Sequence, residues 1–379
     1  MDYSNDVIRY DEQVIFKLRS LYSEYSYKQY KMSRFEEYAL YVENRAFLPD
    51  GDIITFTGSG GKLMALRPDV TLSIIKNTKS SNEPAKLFYN ENVYRTINGE
   101  LKEQMQVGLE HIGITDTQQV AEVLMLAKKS IDILGSNTRL DISHMGFLNG
   151  LLNSEKITAE QKADIVLCIS ERNSPMLLKI CEQASFSNTF KENLLTLISL
   201  YGSYNEVKVK LMGVCVSNEM RMALDELEQI DSALKTLGLN DGINIDFSII
   251  NDITYYNGVI FQGFIEGVPE KILSGGRYDE LLKSFGKNGG AIGFALNLAI
   301  ALRAVPFATE KILSIALPKG RLGEKAYKIF EKAGFECPDI NEDSRQLVHE
   351  NKEKDICYYW VKPSDVAIYV SGELQTSES

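Results

Sequence analysis

Several features that define familiar protein classes are missing from this sequence. No apolar run approaches the roughly 18 residues of a membrane-spanning helix, and the acidic start, MDYSNDVIRYDEQ, lacks the apolar core of a signal peptide. The five cysteines are odd in number, widely spaced and without a CxxC pair, which is typical of reduced thiols in a cytosolic protein. We therefore expect no membrane segment, no disulfide framework and a cytoplasmic location.

Histidine and positive charge are also scarce. The only histidines are His111, His144 and His349, so a metal site built from cysteine and histidine is not expected. The formal net charge is −11, which gives no overall basic field to attract nucleic acid. The composition favours a small ligand or a protein partner, and it gives no reason to expect a metal or another cofactor.

The predicted elements run in the order strands, helices, strands and a final helix. A helix is predicted near Val7–Ser23 and another over Thr117–Gly135, with β-like runs between them. Residues 148–214 are mostly helical in pattern, strand-like runs resume over 244–282, and 289–305 suggest a glycine-rich turn leading into an apolar helix. This order predicts an α+β fold in which distant segments form one antiparallel sheet flanked by helices.

Two glycine-containing turns punctuate the first β-like runs. The GSGG stretch at 58–61 could form either a phosphate loop or a hairpin turn, and the absence of a helix directly after it favours the hairpin. Asn98-Gly99 joins two longer runs, and Asn-Gly in this setting is the strongest short hairpin signal.

Polar residues within the predicted strands are the candidate ligand contacts. Arg67, Asp69 and Thr71 would share one strand face. Carboxylates beside an arginine suit a zwitterionic ligand, because acids pair with an ammonium and arginine pairs with a carboxylate. Spacing alone favours the alternative, solvated outward positions with ordinary surface ion pairs. The other candidates, on the second hairpin and a later strand, are Arg95, Gln106, Glu110, Tyr255 and Tyr256.

Five motifs resemble the class II catalytic core of histidyl-tRNA synthetases and occur in the same order. They are ALRPDVTLSII, VYRTINGELKEQMQVGLEHIG, YYNGVIFQGF, SGGRYDELL and AIGFALNL, and together they cover most of residues 1–305. The resemblance is closer to the regulatory subunits of ATP phosphoribosyltransferase, which share this core and lack aminoacylation. It implies a histidine-sensing subunit that forms a homodimer. It also implies assembly with the catalytic subunit that joins ATP to phosphoribosyl pyrophosphate, the first step of histidine biosynthesis.

Two departures from the synthetase pattern favour the regulatory interpretation. Asn251 and Ile300 occupy positions where the resemblance places arginines used in histidine activation and in binding ATP phosphates. Adenylate formation needs fixed positive charge on the phosphates. An active, histidine-activating synthetase remains the alternative.

The resemblance also implies which residues bind histidine. His111 is expected on the opposite strand face from Glu110, and Ser274–Tyr278 form either the pocket floor or a plain turn. Asp69 stands where synthetases usually carry a glutamate, so the pocket depth would differ slightly. The implied histidine-binding residues are Asp69, Thr71, Arg95, Gln106, Glu110, Tyr255 and Tyr256.

The end of the sequence resembles a different protein. LSIALPKGRLGEKAYKIFEKAGF (313–335), SRQLV and WVKPSDVAIYV are similar to the opening of the catalytic ATP phosphoribosyltransferase subunit. Lys319 and Arg321 are then vestigial phosphate-binding residues, or else a basic surface pair. No diphosphate-binding loop follows, which suggests a truncated fusion, although a bifunctional transferase is a further possibility.

These observations together predict the domain organisation. A class II synthetase-like core is expected over 1–147 and 215–308, and a helical insertion over 148–214. Residues 311–379 are expected to form a partial α/β segment corresponding to the truncated catalytic subunit.

Overall fold

The structure, a computed structural model, describes most of the chain. The described residues are 8–48, 52–78, 83–97, 99–239, 241–249, 256–303, 313–337, 347–351 and 356–363, with isolated positions 340, 354 and 366. The chain divides into two compact units, residues 1–305 and 306–379, and each is described by itself. Among the described residues, no helix is both long and apolar enough to cross a membrane.

A large mixed sheet forms the centre of the first unit. Its order is β1-β5-β6-β12-β11-β10-β7-β9-β8, and neighbours are antiparallel except for the parallel pairs β1/β5 and β7/β9. A smaller antiparallel sheet has the order β2-β4-β3. The strands are β1 Lys28–Gln29, β2 Phe35–Glu37, β3 Thr55–Thr57, β4 Leu63–Leu66, β5 Ala85–Ile97, β6 Glu100–Gly113, β7 Thr138–His144, β8 Tyr201–Gly202, β9 Ile243–Asp246, β10 Val259–Ile265, β11 Leu273–Arg277 and β12 Gly290–Asn297.

Helices cover the large sheet and supply much of the core. Helix α4 begins at its N-cap Asp116 and packs its apolar face on β7, β10 and β12, while α10 packs on α4 and α5. The helices are α1 Tyr10–Glu24, α2 Tyr38–Glu43, α3 Thr71–Asn77, α4 Thr117–Asp132, α5 Met145–Leu152, α6 Ala159–Ser170, α7 Ser174–Gln183, α8 Asn188–Ser199, α9 Tyr204–Val214, α10 Asn218–Thr236, α11 Asp279–Ser284 and α12 Leu298–Ala301, with 3-10 turns at Arg45–Phe47, Ser59–Gly61 and Phe247–Ile249.

The fold class predicted from the sequence is confirmed. A mostly antiparallel sheet assembled from distant segments is flanked by helices, and both predicted hairpins are present as β3/β4 and β5/β6. Gly99, at the tip of the second hairpin, has φ +80°, a conformation that glycine adopts without strain. Residues 145–214 are helices α5–α9 apart from the two-residue strand β8, whereas the proposed domain boundaries at 148 and 214 stay a prediction.

The predicted strand through Arg67, Asp69 and Thr71 is wrong. Strand β4 ends at Leu66, and Pro68 interrupts the β pattern before α3 begins at Thr71. Asp69 Oδ1 accepts a hydrogen bond from the Leu72 N–H at 2.9 Å, so the aspartate satisfies a free donor of the first helical turn. A local side-chain bond therefore starts the helix earlier than the pattern indicated.

Three later predictions also need correction. The prediction of a turn and a helix over residues 289–305 is wrong in part, because Gly290–Asn297 is the interior strand β12 and, of the described residues, Leu298–Ala301 are helical. Short apolar runs buried on both faces look alike as strand or helix. The strand-like run over 271–282 changes to helix α11 at Asp279, and Tyr256 precedes β10 instead of lying within it.

The second unit contains a small three-stranded sheet and one helix among its described residues. Strand β13 Leu313–Pro318 pairs in parallel with β15 Ile356–Val361, which pairs antiparallel with β14 Val348–Asn351. Helix α13 Arg321–Lys332 follows β13 through Gly320, whose φ is +93°. The strand-then-helix order predicted from residue 313 onward is confirmed.

Candidate functional site

A cavity of about 290 Å³, lined by both polar and apolar side chains, opens on one face of the large sheet. Strands β5, β6, β10, β11 and β12 form its walls, together with the segment that leads into α3. Two sequence-predicted positions, Tyr255 and Asn251, lie outside the described residues. The predicted residues that line the cavity are Asp69, Thr71, Arg95, Gln106, Glu110 and Tyr256.

Strand geometry explains why two of these side chains meet. Gln106 and Glu110 are four positions apart in β6, so both project from the same face of the sheet. Glu110 lies opposite Gly293 of β12 in the strand register. A Cβ atom at Gly293 would overlap the Glu110 carboxylate, so this glycine makes the space for the acid.

Glu110 is the most deeply buried acid of the cavity, with 2% of its surface exposed. The Thr71 hydroxyl donates a hydrogen bond to Oε1 at 2.7 Å, and the Tyr278 hydroxyl donates one to Oε2. Burial raises the pKa of Glu110 to about 8, although both hydrogen bonds oppose the shift. The Glu110 carboxyl group is therefore mostly neutral near neutral pH, and a ligand cation beside it would favour its ionised form.

Asp69 and Arg95 bring opposite charges into the same cavity. Burial raises the pKa of Asp69, and the positive charge of Arg95 works against that shift. Arg95 Nε donates to the Pro68 carbonyl at 2.9 Å. Among the described residues, its two terminal nitrogens have no hydrogen-bond partner, so they are available to an anionic group.

Sequence reasoning missed two polar residues that line the cavity, Lys271 and Gln262. Lys271 precedes β11 and is exposed, and partial desolvation by the surrounding protein lowers its pKa. Gln262 is the sole amide in the apolar run VIFQGFI of β10, and that isolation was a usable signal. Lys271 gave no comparable signal, because a lysine before a strand usually lies on the surface.

The glycine run Ser274–Tyr278 contributes to the wall of the cavity and does not form a turn. Ser274 and Gly275 belong to β11 and line the cavity, and Tyr278 follows that strand. The interpretation of this run as a plain turn is therefore wrong.

Other residues singled out in the sequence lie away from the cavity. Arg67 is fully buried and pairs with Glu91 at 3.0 Å, so it supports the structure beneath the site. His111 points away from Glu110, as predicted, and its Nε2 lies 3.1 Å from the Ile114 carbonyl. Lys319 and Arg321 are exposed at the start of α13 in the second unit. Within the described part of the chain, no cluster of potential metal ligands is found.

Helix α12 carries Ile300, which is half-buried against the core. Its N–H donates to Asn297 Oδ1 at 3.2 Å, so the helix start is capped by the chain itself. The position at which the resemblance places a phosphate-binding arginine is therefore apolar.

Comparison with known proteins identifies the family. The family model described as Histidyl-tRNA synthetase matches residues 2–300. The ATP phosphoribosyltransferase regulatory subunit of Clostridium kluyveri is 30% identical, over 74% of this chain and 74% of the relative. That of Bacillus cereus is 27% identical, over 93% of this chain and 88% of the relative.

Solved structures agree on the fold. An ATP phosphoribosyltransferase regulatory subunit/histidyl-tRNA synthetase from Bacillus halodurans has a TM-score of 0.70 at 24% identity and covers 86% of each chain. A chain of the ATP phosphoribosyl transferase complex from Thermotoga maritima has a TM-score of 0.60 at 19% identity, covering 76% of this chain and 97% of that one. The chain belongs to the histidyl-tRNA synthetase family and, within it, to the ATP phosphoribosyltransferase regulatory subunits.

Proposed function

We propose that this chain is the histidine-sensing regulatory subunit of ATP phosphoribosyltransferase in the first step of L-histidine biosynthesis, without aminoacylation activity of its own. The observation that carries the proposal is the cavity that holds Arg95 together with Asp69 and Glu110. Buried groups of both signs in one cavity match a zwitterionic amino acid.

The cavity has a partner for each polar group of histidine. The terminal nitrogens of Arg95 are available to bind the ligand carboxylate in a charge-assisted contact. Asp69 and Glu110 provide two acids for the ligand's ammonium and imidazole N–H groups. Gln106 and Tyr256 complete the polar wall, and Tyr255 is assigned to the same site through the family resemblance.

Besides Arg95, histidine activation would need a cation at the position of Ile300, and the lack of a cation there argues against this activity. Adenylate formation requires positive charge fixed on the ATP phosphates throughout the reaction. Ile300 offers an apolar side chain where the resemblance predicts arginine, and its neighbours on α12 are Ala299 and Ala301. We therefore assign the cavity to ligand sensing.

The proposed partner is the catalytic subunit of ATP phosphoribosyltransferase. The relatives are named as regulatory subunits, and one structural neighbour comes from a complex of the transferase. We further propose a homodimer in the cytoplasm, on the basis of the class II fold and of cysteines that form no disulfide among the described residues. Sedimentation of the chain with and without a short catalytic subunit would test both assemblies.

Calorimetric titration with L-histidine tests the sensing role directly. We expect micromolar binding of histidine, and no binding of ATP under the same conditions. Histidinol lacks the carboxylate, so it should bind much more weakly because Arg95 loses its partner. Histidine-dependent exchange of pyrophosphate into ATP would instead support an active synthetase.

We also propose that residues 311–379 correspond to the opening of the catalytic subunit. The support is the motif resemblance and the strand-to-helix turn that presents Lys319 and Arg321 at the start of α13. The Bacillus cereus match covers 93% of the chain and so extends beyond residue 305, and a C-terminal region that belongs to the regulatory subunit is therefore the alternative.

Titration with phosphoribosyl pyrophosphate separates these two origins. If the segment retains a phosphate site, weak binding should disappear in the double variant Lys319→Met, Arg321→Met. Equal results for the wild-type chain and the variant would make the two residues an ordinary surface pair.

A further inference from the structure

A continuous set of polar contacts leads from helix α10 towards the cavity. It begins at His144, whose Nδ1 accepts a hydrogen bond from the Gly146 N–H at 3.1 Å. The other ring nitrogen, Nε2, therefore carries the proton in the neutral ring and donates to Glu226 Oε2 at 3.1 Å. This hydrogen bond is the main reason that the pKa of Glu226 lies below its ordinary value.

Arg277 continues the set of contacts from α10 to the sheet. Its Nη1 lies 3.6 Å from Glu226 Oε1, and its Nε donates to Asp279 Oδ2 at 2.7 Å. Asp279 Oδ1 accepts a hydrogen bond from the Ala291 N–H of β12 at 2.9 Å. One guanidinium therefore lies between two carboxylates, one on a helix and the other tied to the central sheet.

Asn257 connects these charges to the wall of the cavity. Its Nδ2 donates to Asp279 Oδ2 at 3.1 Å, and its Oδ1 accepts from the Asp279 N–H at 2.9 Å. Its own N–H donates to the Arg277 carbonyl at 3.1 Å. Three hydrogen bonds thus fix the residue that directly follows Tyr256.

Tyr256 is the member of this segment that lines the cavity. A Cβ atom at Gly276 would lie 2.6 Å from the Tyr256 ring, so the ring packs directly against the glycine backbone of β11. A Cβ atom at Gly258 would likewise lie 2.9 Å from Cδ of Arg277. The two glycines let the segment approach the strand closely, and the contacts of Asn257 then set its position.

We propose that Glu226 is a positioning residue for the ligand cavity, acting through Arg277, Asp279 and Asn257 on Tyr256. The proposal rests on the histidine-sensing function proposed above. None of the three connecting residues lines the cavity, so their effect on the ligand passes through the lining residues beside them. These are Tyr256 and also Tyr278, which lies between Arg277 and Asp279 and donates to Glu110. Because coupling between two sites is reciprocal, a shift of α10 changes the cavity, and ligand binding changes the restraint on α10.

The test compares Glu226→Gln with Glu228→Gln. Both variants remove one negative charge from α10, but among the described residues the ion-pair partner of Glu228 is Lys208, and neither of these two residues lines the cavity. The glutamine at 226 can still accept from His144, whereas its amide group cannot pair with Arg277. We expect Glu226→Gln to weaken L-histidine binding about tenfold by calorimetry, and Glu228→Gln to leave it unchanged within about twofold.

Hydrogen exchange at individual amides distinguishes a positioning role of Glu226 from a purely structural one. In Glu226→Gln, the Asn257 amide should exchange faster, while amides of β6 and β12 keep wild-type rates. Asn257→Ala breaks the contacts at the cavity end and should reproduce the weaker binding, so the test survives if Glu226→Gln folds poorly.

The outcomes separate this inference from the proposed function. Suppose that the wild-type chain binds histidine and that Glu226→Gln has the same histidine affinity and the same Asn257 exchange rate. That result overturns the positioning role and leaves the sensing function standing. Absence of histidine binding in the wild-type chain overturns the sensing function, and the exchange rate of Asn257 then decides the positioning role by itself.

Discussion

The ligand cavity and helix α12 adjoin the same strand, β12, yet they differ sharply in polarity. At Gly293 the strand faces the buried acid Glu110, whereas just beyond its end the chain places Ile300 against the core. The cavity contains acidic and basic side chains, which are costly to remove from water. Helix α12, in contrast, has an apolar residue at the position where the family resemblance implies a contact with phosphate. The difference supports the proposal that the amino-acid half of a synthetase site is retained while the nucleotide half is lost.

A buried acid with a raised pKa is a cost to folding. Glu110 would be replaced readily if stability alone mattered, because a neutral amide of the same shape avoids the ionisation problem. Its presence beside Arg95 and Asp69 is therefore best explained by a ligand that uses it.

The largest expected effect comes from removing the cavity's arginine. Arg95→Met should weaken L-histidine binding about 100-fold, because the ligand carboxylate loses its charge-assisted hydrogen bonds. Calorimetry measures the change, and Arg303→Met, which breaks only an exposed ion pair with Glu270, is the matched control. Equal affinity in both variants would show that the carboxylate binds elsewhere.

The second effect concerns the free energy of unfolding, which the burial of Glu110 lowers at high pH. Because its folded pKa is raised to about 8, its contribution to stability is present at low pH and is lost as pH rises from about 4.5 to 8. Glu110→Gln should therefore raise the free energy of unfolding on the order of 2 kcal/mol at pH 9, and much less at pH 5. Urea unfolding at the two pH values measures this, while histidine binding should fall. A variant that is less stable at pH 9 would contradict the account.

The third effect tests helix α12, which the comparison sets against the ligand cavity. Ile300→Arg should lower the free energy of unfolding by about 1 kcal/mol, since a half-buried apolar side chain loses its packing. It should not produce pyrophosphate exchange, because one restored cation leaves the position of Asn251 unchanged. The appearance of exchange in this variant would mean that the nucleotide half needs only a single substitution.

The smallest effect is expected at the cavity mouth. Lys271→Met should weaken histidine binding by no more than about threefold, because an exposed ammonium contributes little in water. Calorimetry at low and physiological salt would check this, since screening should reduce even that difference. A loss comparable to that of Arg95→Met would make Lys271 a primary ligand contact.

Long-range organisation was largely predictable from the sequence. Hairpin signals at 58–61 and 98–99 and the periodic helix α4 fixed the fold class. The predictions failed where local context decides: Pro68 and the Asp69 bond to Leu72 turn an apparent strand into a helix start. Strand β12 was read as a helix because both of its faces are buried.

The cavity was predictable only in part. Gln106 and Glu110 follow from strand alternation, whereas Asp69, Thr71 and Arg95 join them through the family resemblance and not through a shared strand. Gln262 could have been found from its isolation within the apolar run of β10, whereas Lys271, which precedes β11, gave no local signal. The contacts of Glu226 with His144 and Arg277 likewise depend on tertiary packing alone.

Calorimetric titration of the wild-type chain with L-histidine, run alongside ATP, tests the central claim most directly. The account predicts micromolar histidine binding, accompanied by proton release below pH 8 as the ligand cation ionises Glu110, and no heat from ATP. Tight ATP binding, or no response to histidine, would contradict it.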